Sequence, residues 1–302
     1  MRAAIAFGLM ILVTLAVMVH HAVASPYLPP DGRVLHGVAG GTTVDLFAEQ
    51  TGKAPAVFQL FVAWGDADWA FRRAEAQDGR LMLHLSTYNG PGTKERITPA
   101  QIARGDGDAF LEHLNEKIVA HGEPVYLRLM AEMNGHWNPY SAFTASGRAK
   151  PGHSTRDFVR AWRHIARKVR AGGAQVALQW VPQVAGAPET AANSPRAYWP
   201  GAEYVDWVGT DFYSRFPNWA GLERFYAQFP GKPFVFGEYA VWGRDDPGFV
   251  KRLFAWSRAH PRVRMLVYNQ GFQPDGPFRL ERYPSSRRAL RALLSSPRYP
   301  GA

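Results

Sequence analysis

Eight short runs rich in β-branched and aromatic residues alternate with helical patterns along almost the whole chain. This alternation limits the possible folds more than any other feature. The strand-like runs fall at 34–38, 56–62, 81–85, 124–130, 176–181, 204–210, 233–236 and 263–268, each bounded by Gly, Pro or polar turn residues. Helical patterns occupy 44–51, 66–76, 97–120, 154–171, 223–228, 247–260 and 285–294. The clearest helix is 154–171. Ser154 or Thr155 can cap it, Phe158, Trp162, Ile165 and Val169 recur at helical spacing, and Gly172-Gly173 ends it. Thr98-Pro99 supplies an N-cap and first-turn pair for the 97–120 helix. With 302 residues, 46% of them hydrophobic, the chain can bury a large core. The expected fold is α/β, a single (β/α)8 TIM barrel over residues 33–302. A doubly wound open sheet is the alternative. It commonly carries a G-x-G-x-x-G or phosphate loop after its first strand, and Gly37-Val-Ala-Gly-Gly lacks that spacing.

Arg2, the apolar run 4–19 and the small-x-small site Ala22-Val23-Ala24 predict a signal peptide over residues 1–24, removed after Ala24. An uncleaved anchor is the rival, but the run is shorter than the ~20 residues that span a bilayer. Residues 25–32 are proline-rich and read as a linker. The chain has no cysteine, which excludes disulfides and thiolate metal sites. Its formal charge of +10 comes mostly from arginines scattered along helices. No compact Lys/Arg block with interleaved aromatics appears, so a solvated basic surface fits better than nucleic-acid binding. An anionic cell-surface polymer is the remaining reading. The histidines show no metal-ligand spacing.

Two segments carry the chemistry. Arg128-Leu-Met-Ala-Glu132-Met-Asn134-Gly135-His-Trp137 and Phe234-Val-Phe-Gly237-Glu238-Tyr239 each end an apolar run on a glutamate. A buried carboxylate is costly unless it is paired or used. In a barrel, the strand C-termini build the active site, so Glu132 and Glu238 are expected to converge at the mouth. A carboxyl pair of this kind suits glycoside hydrolysis. The insertion 139–152, after the fourth strand, lies on that same face.

The chain resembles glycoside hydrolase family 26, the retaining endo-β-mannanase family of a (β/α)8 clan. The resemblance is carried by Arg128-x-x-x-Glu132-Met-Asn-Gly-x-Trp137, by Phe158-Val-x-Ala-Trp162-Arg-His-Ile, by Tyr204-Val-Asp206-Trp-Val-Gly-Thr-Asp211-x-Tyr213, and by Phe236-Gly-Glu238. It implies Glu132 as the general acid/base and Glu238 as the nucleophile. Arg128 would hold a carboxylate, Trp137 would line the sugar cleft, and Tyr213 would hydrogen-bond the nucleophile. Trp64 and Tyr268 are further substrate-binding candidates, Tyr268 in the place of a platform tryptophan. Ala131 stands where the family usually has His, which puts the sugar more than the chemistry in question. No cofactor or metal is called for. The expected partner is a polysaccharide, with no nucleic acid, a membrane only if the leader is retained, and a monomeric chain.

Overall fold

The computed structural model describes residues 27–40, 44–90, 92–271, 273 and 275–302; the expected signal peptide lies outside them. Eight parallel strands close into a barrel in sequential order: β1 Leu35–Ala39, β2 Val57–Ala63, β3 Arg80–Ser86, β4 Val125–Leu129, β5 Val176–Trp180, β6 Trp207–Tyr213, β7 Phe234–Ala240 and β8 Val263–Asn269. Closure runs through β1 and β8, from Leu35 opposite Met265 to Ala39 opposite Asn269. The helices are α1 Val44–Thr51, α2 Asp68–Ala74, α3 Pro99–Arg104, α4 Asp108–His121, α5 Thr155–Val169, α6 Trp219–Gln228, α7 Pro247–Ala259 and α8 Pro284–Leu294. Three short 3-10 turns, and no α-helix, connect β5 to β6.

All eight expected strands are present. Two details differ. The 97–120 helix is two helices, because Gly105 adopts a left-handed φ of 93° and ends α3. A capping box between Thr98 and Gln101 starts α3. Glu238 does not end its strand; β7 continues to Ala240. Ser154 caps α5, and Phe158, Trp162, Ile165 and Val169 are buried on its inner face.

Two apolar layers result. One lies between sheet and helices, and the other fills the barrel interior with Leu35, Val57, Met82, Tyr126, Ala177, Val235, Met265 and Val267 among others. At the bottom, Trp207 packs edge-on against Tyr126. Tyr126 donates to the carbonyl of Tyr27 at 2.6 Å, and Arg80 donates to both. Arg264 donates to the carbonyls of Pro29 and Pro30. Hydrogen bonds thus fasten Tyr27, Pro29 and Pro30 under the barrel.

Candidate active site

β4 delivers two side chains to the barrel mouth. Arg128 lies inside the strand and is fully buried. Three residues after β4, Glu132 follows a chain that turns through left-handed φ values at Met130 (39°) and Glu132 (53°). Such conformations cost about 1–3 kcal/mol each at non-glycine residues. They persist because the backbone is tied down on both sides. Met130 N–H donates to Leu85 and Glu132 N–H to Val181. The carbonyl of Ala131 accepts from Tyr140, and that of Glu132 from Asn138. The strained turn lifts the Glu132 carboxyl into the mouth.

Glu238, on β7, is buried and surrounded by donors. Arg128 and Gln59 donate to Oε1; Tyr213 at 2.5 Å and Asn269 at 2.7 Å donate to Oε2. Arg128 also donates to Asp211 of β6. This fork fits because residue 237 is glycine. A Cβ there would sit 2.8 Å from Arg128 Nε and 3.0 Å from Asp211 Oδ1. His84 of β3 accepts from Arg128 through Nδ1, and its ring nitrogen lies 3.8 Å from Glu238. Burial, then the Arg128 charge, hold His84 well below its ordinary pKa. It is a neutral ring protonated on Nε2.

Glu132 has a different shell. Trp137 Nε1 donates to it at 2.7 Å and the Gln183 amide donates to its other oxygen. Both donors are neutral. Burial, then the charge of Glu238, raise its pKa above the usual carboxylate value, against the pull of Arg128. Burial also pushes Asp211 well up, against Arg128 and reinforced by Glu238 and Glu132. Three carboxyls thus face one guanidinium, and the cluster favours keeping a proton. Burial, then Glu238, keep Tyr213 a protonated phenol and so a donor.

Glu132, Glu238, Arg128, Trp137 and Tyr213 therefore share one mouth, Glu132 bonded to Trp137 and Glu238 bonded to Arg128 and Tyr213, with the two carboxyls close enough to feel each other's charge. Trp137 is 49% exposed and folds over Gly135, where a Cβ would meet its ring at 2.4 Å. Two expected residues do not join them. Trp64 is 6% exposed and packs on Phe110 and Gly107, so it has no free face for a sugar. Tyr268 is fully buried in the layer between sheet and helices, against Phe47 and Tyr239, and donates to the carbonyl of Phe278. Its neighbour Asn269 is the residue that faces inward. The aromatic wall near Glu238 is Tyr213, Trp242 and Phe278, with ring centroids 5.1–5.9 Å apart, continued outward by the exposed Phe216. Asp206 sits at the opposite end of β6, holding Arg170 and the Leu178 N–H. Sequence reasoning missed Gln59, Gln183 and Asn269. Gln59 carried a usable signal, a polar residue inside an apolar strand.

The model of glycosyl hydrolase family 26 matches residues 102–253, a span that holds both glutamates. The chain belongs to glycosyl hydrolase family 26. Among curated relatives, the β-1,3-xylanase TXYA of a Vibrio species is 26% identical over 200 residues, covering 64% of this chain and 41% of that protein. Endoglucanase H of Acetivibrio thermocellus is 25% identical over 196 residues, covering 65% of this chain and 20% of that one. The family 26 chain thus spans about two-fifths of the length of the first of these relatives and one-fifth of the second. Its fold matches a modular endo-β-1,4-mannanase from Cellulomonas fimi with a TM-score of 0.63, at 19% identity, over 89% of this chain and 72% of that chain. A Bacillus subtilis mannanase matches with a TM-score of 0.58, at 18% identity, over 86% and 85%.

Proposed function

We propose that this family 26 chain is a secreted, monomeric, retaining endo-glycosidase that cleaves a β-linked polysaccharide without a cofactor. The observation that carries the reading is the contrast between two carboxyls in one cleft. Glu132 is raised and meets neutral donors, which suits a group that gives a proton. Glu238 is ringed by a guanidinium, a phenol and amides, which suits an attacking anion. In this reading Glu132 protonates the leaving glycosidic oxygen while Glu238 Oε2 or Oε1 bonds to the anomeric carbon. Glu132 then takes a proton from water, and that water's oxygen displaces Glu238. Arg128 and Asn269 hold Glu238 in line, and Trp137 steadies Glu132 beside the sugar. Secretion rests on the leader-like residues 1–24.

A β-mannan is the first substrate to try, on the resemblance described above and the mannanase folds. A second reading keeps the chemistry and changes the sugar, to a mixed-linkage glucan or a bacterial exopolysaccharide. It is favoured by Ala131, whose buried methyl offers no polar contact where the family usually has an imidazole. Relatives named as β-1,3-xylanases and an endoglucanase point the same way.

The test separates the two glutamates. Glu238→Ala is expected to abolish hydrolysis of every substrate. Glu132→Ala is expected to lose about 10²–10⁴-fold on natural glycans. It should keep the first step on aryl glycosides with good leaving groups, and azide should rescue its second step. Identical profiles for the two folded variants would overturn the assignment.

A further inference from the structure

Outside the barrel, α3 and α5 enclose a groove of about 500 Å³. Ala100 and Ala103 of α3 leave it open, and Arg104, Arg160, Arg163 and Arg167 wall it. Arg156 continues the wall, since positions 156, 160, 163 and 167 form one stripe along α5. The other face of α5 is buried, so the stripe is the helix's outward surface.

Arg104 pairs with Asp106 at 3.0 Å, but the arginines of α5 are poorly compensated. Among the described residues, no carboxylate lies within ion-pairing distance of Arg156, Arg160, Arg163 or Arg167. The other cations of this segment are paired: Lys168 with Asp108 and Glu112, and Arg170 with Asp206. Asp157 also lines the groove, but its carboxylate is turned to Ser154 Oγ at 2.6 Å. Of these four, Arg163 has fixed internal contacts, its Nε donating to the carbonyl of Pro200 and its guanidinium lying 5.4 Å from the centroid of the Tyr204 ring. Like charges three and four residues apart destabilise a helix, and among the described residues no ion pair offsets them here.

We propose that this groove binds a strand of acidic polysaccharide of the polyuronate type, outside the catalytic cleft. Successive arginines rise by about one helical turn, ~5.4 Å. That interval is comparable to one pyranose unit, so a carboxylate on each sugar can meet a guanidinium fork in turn. The lining contains no aromatic side chain on which bases could stack, which favours a sugar acid over single-stranded nucleic acid. The formal charge of +10 draws any polyanion, while the stripe gives one place to hold it.

The probe is polygalacturonate, with retardation of the full chain measured in gels that contain it. Arg160→Ala/Arg167→Ala is expected to weaken retention at least tenfold, and hydrolysis of short neutral β-linked oligosaccharides is expected to stay unchanged. Arg287→Ala/Arg288→Ala, on α8, makes the same change in net charge and is expected to retain binding. Thermal midpoints of both double variants are compared with the parent. Absence of retardation by the parent, equal losses in both folded variants, or equally strong competition by duplex DNA would each overturn the proposal. The binding readout needs no turnover, so it stands apart from failure of the hydrolytic reading.

Discussion

Glu132 and Glu238 are one kind of group in one cleft, and their hydrogen-bond partners differ. Because Glu132 is raised by burial and by its neighbour, releasing its proton is harder in the folded chain than in the unfolded one. The native state therefore loses stability as pH rises from the ordinary carboxylate value, about 4.3, up through the raised value of the folded chain. At pH 7 Glu132→Gln is expected to stabilise the fold by about 0.5–2 kcal/mol. Below about pH 4, where unfolded Glu is protonated as well, the gain should vanish. Denaturant unfolding at both pH values checks this; an equal gain at both, or a loss at pH 7, contradicts it. Both glutamates were legible because a carboxylate ending or interrupting an apolar run has few structural uses. Gln183 was not legible. It lies after β5 in irregular chain, and it reaches Glu132 only because Asn134 pairs with its backbone on both sides.

At the scale of the element, strand parity decided which side chains reach the mouth. β8 is buried on both faces, Met265, Val267 and Asn269 inward and Leu266 and Tyr268 outward, so no polar–apolar alternation marks its inner side. Tyr268 consequently looked like a sugar platform, and Asn269 was overlooked. Asn269→Ala removes a donor to Glu238 and is expected to lower kcat about 10²-fold, in the range of other lost charge-stabilising donors. Tyr268→Phe is expected to leave kcat near the parent value and to cost about 1 kcal/mol of stability through its lost bond to Phe278. Kinetics and thermal unfolding of the two variants test the parity, and the opposite pattern would restore the platform reading. The 97–120 boundary was hidden for a related reason. Gly105 and Gly107 sit inside a pattern whose apolar residues continue across the break, with Ile102 and Leu111 both fully buried.

For the whole molecule, alternation of strand and helix was enough to read the closed barrel. The seal beneath it was not readable, because proline-rich sequence looks the same whether free or fastened. Tyr126→Phe strips the Tyr27 carbonyl of one donor and Arg80 of an acceptor. It is expected to cost about 1–2 kcal/mol of stability with kcat unchanged, since the site lies at the other end of the barrel. An unaltered thermal midpoint would mean that residues 27–30 do not brace the fold. In the proposed mechanism this barrel works through a covalent glycosyl intermediate on Glu238, with Glu132 as the proton carrier. Its most direct test is to trap the intermediate. The protein is incubated with activated 2-deoxy-2-fluoro glycosides of mannose, glucose and xylose, then digested and mapped by mass spectrometry. One added sugar is expected on the peptide containing Glu238, abolished in Glu238→Ala. A sugar attached elsewhere, or products of inverted anomeric configuration with no adduct, would contradict it.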